Sequence, residues 1–485
     1  SEALAGVTGY TGEVELTDST GDLSATVIEA IADSTNKTPV IKNKPTIKGN
    51  SQDVVDVLAK INNTGNANIK LDDAHDLTQL RTINKATSGA ITFKTNAIDL
   101  KGTVTELNEA LNGVTGYEGT VTITNTDEVT SGSVKSIVDS SATGKVVIES
   151  NPRIKGSASD VTALITRLNA GDTRIKLTSH HNLEQLKTIN DNTRGIILFG
   201  AGGTDKADFK GKAADIAAAL DGITNYEGNI EFIDKHTLAE LKTINDATKG
   251  NKVTIKFFDD TVKLEGSTAD VSAALAEITG YKGEIDLTDS TGDLSATVIE
   301  AIADSTNKKP VITKAPTIKG NVQDVVDVLA KITPTGNPNI KLDDAHDLSK
   351  LKTINDATSG TITLGSNTVP LEGNESDITA ALDGITGYKG TITLANLAVD
   401  TVQATAITAL ADKTDQTTTI KTQFKVEGNT ADVVTALSKV TNTGEANIKL
   451  LDAHNLADLK TINDGTTGSI EFKDNTVELD GKTAV

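Results

Sequence analysis

Between Asn321 and Gly373 the apolar positions switch repeatedly between helical and strand periods. In NVQDVVDVLAKI, Val325, Leu329 and Ile332 recur at helical spacing, which predicts a short helix. TGNPNIKL follows with Ile340 and Leu342 alternating, a strand after a turn. HDLSKLKTINDATSG then sets Leu348, Leu351 and Ile354 on a narrow stripe, with Asp347 before it as N-cap and Gly360 just beyond its end. TITLGSNTVPLEG holds two alternating runs around a Gly-Ser-Asn-Thr turn, either a tight hairpin or a corner between two strand ladders. The unit reads helix, strand, helix, strand, turn, strand.

That unit is repeated. A glycine closes an alternating stretch and opens the next helix at Gly49, Gly102, Gly156, Gly211, Gly266, Gly320, Gly373, Gly428 and Gly481, a near-constant period of roughly 54 residues. About nine units result: 1–49, 50–102, 103–156, 157–211, 212–266, 267–320, 321–373, 374–428 and 429–481, with 482–485 starting another. Two flavours alternate. One carries T-G-Y-x-G after its first helix (6–12, 113–119, 277–283, 384–390), the other N-I-K-L and T-I-N (62–84, 333–355, 441–463), and 212–266 mixes them. A pair of units spans roughly 108 residues. Residues 8–89 match 279–360 at 67 of 82 positions, which is block duplication. Such a period predicts an α/β fold drawn out as an elongated repeat solenoid, one continuous array rather than separate domains. Strands stack about 4.8 Å apart and helices 8–10 Å apart, so two helices per unit require different faces, curvature or twist.

Composition narrows the classes. Aromatic residues are 3% of the chain, so small aliphatic side chains must fill the interior. A net charge of -21 argues against nucleic acid, which needs concentrated Lys and Arg. No cysteine is present, which excludes disulfides and thiolate metal sites, and no apolar run is long enough to span a membrane as a helix. The start at Ser1 and the lack of Met read as a mature or excised piece.

Segments such as LKTINDATSGTITL (351–364) and VPLEGNESDITAALDGITGYKGTITL (369–394) resemble the tandem repeats of long secreted or cell-surface structural proteins of cyanobacteria and related bacteria, of the β-strand-repeat type. The resemblance implies an extracellular or cell-surface location and a non-enzymatic role in a filament, sheath or surface layer. An adhesin stalk or glycan-binding module is the alternative. The glycine/aspartate nonapeptide that often accompanies such proteins is missing, so its calcium sites do not carry over.

Each recurring polar residue has two readings. Tyr10, Tyr117, Tyr226, Tyr281 and Tyr388 share one phase, either as an exposed row for glycan stacking or as rings packed over a turn with hydroxyls reaching the neighbouring unit; regular spacing favours packing. His75, His181, His236, His346 and His454 each precede a helix N-cap, which favours a bond to backbone over a pH-sensitive contact. Asn84, Asn190, Asn245, Asn355 and Asn463 suit left-handed helix ends and an asparagine ladder between coils. Asp18, Asp22, Asp72, Asp73, Asp289, Asp293, Asp343 and Asp344 cluster in turns that could supply calcium with oxygens, although no EF-hand spacing exists. The opposing reading makes Asp22, Asp76, Asp293 and Asp347 N-caps and leaves the rest solvated. The Asp-Ser-Thr-Gly run at 18–21 has one residue too many for an aspartic-protease motif and is read at a helix start, and GAGGTDK (200–206) is a lengthened turn without the ending of a phosphate loop. No catalytic or cofactor-binding residue stands out.

The two ends split one helix: GKTAV (481–485) and SEALAGVTGY (1–10) together rebuild most of GNESDITAALDGITGY. The partner this predicts is self, joined head to tail, or further repeats of a longer chain.

Overall fold

The computed structural model describes residues 7–168, 170–200, 207–395, 401–442 and 445–479. Contacts divide the chain into two compact units, residues 1–236 with 246–258 and residues 237–245 with 259–485.

The apolar periods place their elements well. In the second unit, helices Val322–Lys331 and Leu348–Ala357 flank strand Asn339–Leu342, and strands Ile362–Thr363 and Leu371–Gly373 follow. Those last two strands join different sheets, so the turn between them is a corner and not a hairpin.

All strand pairing among the described residues is parallel and in register. In the first unit Leu23, Ile47, Ile69 and Ile91 stand in one row, and Ile47 and Ile69 are fully buried. In the second, Leu294, Ile318, Ile340 and Ile362 do the same. A repeated sequence folded as successive helix-strand units brings equal phases together, so like stacks on like. Alternate positions such as Lys48 and Lys70 point outward from the same ladder. Successive helices pack against one another within each unit, as in Ala25–Ser34, Ser51–Lys60, Leu77–Ala86 and Val104–Leu111. Within each unit the successive helices therefore stack beside the ladders, which removes the alternative that a repeat's two helices occupy different faces.

Each sequence repeat is thus two helix-strand units, termed coils, with one helix apiece. The coils run on two periods at once. Helices begin at Ala25, Ser51, Leu77 and Val104, whereas the stacked strand positions Ile47, Ile69 and Ile91 recur at a shorter interval. Each strand consequently ends further ahead of its helix. Gly49 directly precedes Asn50, the N-cap of the next helix, but Leu71 ends its strand well short of Leu77, and Phe93 falls further still from Val104. The ladder then stops, and a new one opens at Leu100–Gly102, again directly before an N-cap, Thr103. Drift and reset reconcile the closer strand spacing with the wider helix spacing. In the second unit the four-stranded ladder beginning at Asp293–Ser295 is followed by one beginning at Leu371–Gly373.

The marker glycines sit where a strand end crosses the start of the previous helix. A Cβ at Gly49 would stand 2.8 Å from the Ala25 Cβ, at Gly320 2.9 Å from that of Ala296, and at Gly428 2.9 Å from that of Ala404. At Gly102 and Gly211 it would meet Leu77 and Leu183 at 2.5 Å. These glycines provide space. Their φ angles are ordinary, and their carbonyls accept the amides of Asp72, Asp343, Leu451, Thr124 and Ile233 in the next coil. Gly481 lies outside the described residues. Among the described residues no helix is long and apolar enough to cross a membrane.

Candidate functional sites at the recurring polar positions

Four of the five tyrosines are buried, Tyr117, Tyr226, Tyr281 and Tyr388 at 1–2% exposure, whereas Tyr10 is 43% exposed. Each buried hydroxyl donates to a carbonyl earlier in the chain, at one fixed offset: Tyr117 to Ile98 at 2.7 Å, Tyr281 to Val262 at 2.6 Å, Tyr226 to Ala207 and Tyr388 to Val369. Their amides donate forward, Tyr117 to Ser140 O and Tyr281 to Ser305 O. One residue therefore links three successive segments. Burial raises the phenol pKa at every buried site, to about 12 for Tyr388. These rings are packing elements, and the glycan-stacking row is absent at four of its five positions.

The histidines depart from expectation. His75, His181, His236, His346 and His454 are all buried, and all but His346 pack against aromatic rings. The His75 ring lies tilted against that of Phe93, 4.9 Å between centroids, and bonds through Nε2 to the Tyr117 hydroxyl at 2.9 Å. His181 stacks on Phe199, His236 on Phe232 and His454 on Phe472. Since the Tyr117 proton goes to Ile98, His75 must donate from Nε2, which leaves its buried Nδ1 bare. Neither ring nitrogen of His346 has a hydrogen-bond partner among the described residues. Desolvation lowers the pKa of His75 and His346, against the opposing charges of Asp73 and Asp76 at the first and Asp347 at the second. Sequence reasoning missed the phenylalanines, although Phe93, Phe199 and Phe472 follow His75, His181 and His454 at one fixed interval. His180, the sixth histidine and the sequence neighbour of His181, is exposed.

The asparagines lie inside helices with ordinary dihedrals, which corrects the left-handed assignment. Their amides bridge coils as expected. Asn84 Nδ2 donates to Ala110 O and Asn112 O, and Asn355 Nδ2 donates to Ala381 O and Asp383 O. Asn190 and Asn245 repeat the pattern. Each satisfies the orphan carbonyls ending the next helix.

Most of the calcium candidates are engaged elsewhere. Asp73 Oδ1 accepts the amide of Ser51 at 2.7 Å, Asp344 that of Val322 at 2.7 Å, and Asp289 that of Thr268 at 2.7 Å. These are the first residues of helices in the preceding coil, so the carboxylates cap a helix from outside it. Asn125, Asp234 and Asp452 do likewise for Val104, Ala213 and Thr430. Asp22 and Asp293, expected as N-caps, belong instead to strands; Ser24 and Ser295 precede those helices, and the aspartates pair with Lys70 and Lys341 at 3.3 and 2.9 Å. Asp72 and Asp343 face Lys48 and Lys319, and Asp18 is exposed. Asp76 and Asp347 are N-caps, accepting from Gln79 and Lys350. Among the described residues no group of three or more His, Asp or Glu is placed to hold a metal ion. The Asp-Ser-Thr-Gly run precedes strand Asp22–Ser24, not a helix. Residues 201–206 of GAGGTDK, 1–6 and 480–485 lie outside the described residues, and with them most of the split helix.

An open groove of about 1020 Å³ is lined by Asn66, Asn84, Thr87, Ser88 and Asn112. A counterpart of about 410 Å³ in the second unit is lined by Asn337, Asn355, Thr358, Ser359 and Asp383, which stand at the same offset from those five positions in every case. Both grooves belong to the repeat. No protein-family model matches the chain, and no curated protein matches it closely.

Proposed function

We propose that the chain is a non-enzymatic structural repeat protein, a solenoid serving in a bacterial extracellular filament, sheath or surface layer. The observation that carries this reading is the fate of its recurring chemistry. Tyrosine hydroxyls, asparagine amides and capping carboxylates are spent on contacts between coils. An enzyme would instead gather non-repeating residues in a pocket, and the polar grooves recur with the repeat. The resemblance to bacterial surface repeats points the same way.

The stack would continue end to end, through a second copy or further repeats. Tyr10 is exposed where its counterparts are buried, and Asn463 is exposed where Asn84 and Asn355 hold the next helix. A further coil would cover both. Electron microscopy of the purified chain over rising concentration tests this, with long fibres of uniform width expected. Discrete short rods at every concentration would remove head-to-tail growth.

A further inference from the structure

The repeat breaks in one ladder of the first unit. Its strands are Glu128–Thr130, Arg153–Gly156, Arg174–Leu177 and Ile197–Phe199. Arg153 stands beside Arg174 and Lys155 beside Lys176, while Ile154 and Ile175 between them face the core. Strand geometry puts these four cations at the corners of a rectangle about 4.8 by 7 Å. The chain has five arginines in 485 residues, and Arg153, Arg167, Arg174 and Arg194 fall within one short stretch. Residues 128–194 carry nine Lys and Arg against seven Asp and Glu, in a protein of net charge -21.

Equivalent ladders are arranged differently. There Lys70 pairs with Asp22 and Lys48 with Asp72, and likewise Lys341 with Asp293 and Lys319 with Asp343. In the arginine ladder Thr178 replaces the second aspartate, and among the described residues Glu128 alone faces Arg153, Lys155 and Lys176, at 3.4 to 3.9 Å. Arg153 Nε has no hydrogen-bond partner among the described residues. Arg174 also displaces a scaffold bond. At its position Asn68, Asn339 and Asn447 accept the amides of Ala90, Thr361 and Ser469, and a guanidinium cannot accept. Beside the cations, Ile196 and Leu198 are 66% and 36% exposed where the other copies carry Ala90 and Thr92, Thr361 and Thr363, or Ser469 and Glu471.

We infer that this face is a lateral docking surface for the acidic surface of a second copy of the chain. Guanidinium groups bind carboxylates in bidentate fashion, and two exposed aliphatic side chains suit a protein better than a polysaccharide. The chain's own acidic excess supplies the complement. Symmetric pairing would bring cations together, so the contact joins this patch to a different face of the neighbour. It adds sideways association to end-to-end growth and is independent of it.

Sedimentation velocity of the whole chain tests the inference. Salt-sensitive assemblies are expected at low ionic strength and should dissolve near 1 M salt, where the Debye length falls to about 3 Å. Arg153→Thr with Arg174→Asn restores the Thr46–Asn68 and Thr317–Asn339 pairs of two other ladders and so preserves the fold; it should abolish the salt-sensitive species while any end-to-end fibres persist. Adding Thr317→Arg and Asn339→Arg to that variant should return them. Equal salt-sensitive association by wild type and double variant overturns the inference. So does an unassociated wild type, or one retarded by a carboxylated polysaccharide without associating with itself.

Discussion

A buried histidine that stays neutral links folding to pH. Desolvation lowers the pKa of His75 and His346 in the folded chain, so the unfolded chain takes up protons first as pH falls. Stability is complete above the unfolded value of about 6.5 and is lost as pH drops from there through the folded values. Thermal midpoints should therefore fall between pH 7.5 and pH 5, and His346→Leu should flatten that slope, since the imidazole leaves no hydrogen bond behind. An unchanged slope in the variant would show that other groups carry the pH dependence. The tyrosine series gives a second expectation at this scale. Tyr281→Phe leaves the buried Val262 carbonyl without its hydroxyl and should cost about 1–3 kcal/mol in denaturant unfolding. Tyr10→Phe, at an exposed position, should cost nothing measurable in the isolated chain.

Helices in this protein are finished by residues that do not belong to them. Asp344 caps the helix Val322–Lys331 from one coil downstream, and that helix has no side-chain cap of its own at Asn321. Asp344→Ala should then cost about 1 kcal/mol, with faster amide exchange in the first turn, whereas Asp343→Ala loses only a solvated ion pair at 3.8 Å and should be near neutral. Because the carboxylates of Asp73, Asp289 and Asp344 already cap helices, a chelator should leave the unfolding midpoint unchanged. A chelator-induced drop would restore the calcium reading. The helix and strand periods of Asn321–Gly373 were legible in sequence because an apolar stripe is a local property. The outside caps were not, since an aspartate that bonds a helix one coil back looks like an acidic turn. The histidine–phenylalanine stacks left a fixed interval in the sequence that was readable but overlooked.

Along each compact unit the two periods make the pair of repeats, and not the single repeat, the exchangeable module. The single-repeat count hides this, because two coils of different sequence add up to one repeat while the ladders need two repeats to return to phase. The ladder opening at Asp293–Ser295 has its counterpart at Thr401–Gln403, one pair of repeats later, and Asn321 and Asn429 start equivalent helices capped by Asp344 and Asp452. Deleting 321–428 joins Gly320 to Asn429 and rebuilds each of those contacts with the helix, strand and cap of the same phase. Since stability in stacked repeats is close to a sum of nearest-neighbour terms, the shortened chain should unfold cooperatively with only a modest loss of midpoint. Deleting 321–373 joins Gly320 to Asn374 instead. Gly320 ends the second strand of its ladder, whereas the strand Ile392–Leu394 that would follow pairs with Leu371–Gly373, the first strand of another. The strand would then arrive out of phase with its helix. Circular dichroism on heating should show an earlier or split transition for the shorter deletion, although it removes fewer residues. Equal midpoints for the two deletions would mean that strand drift imposes no register on the array.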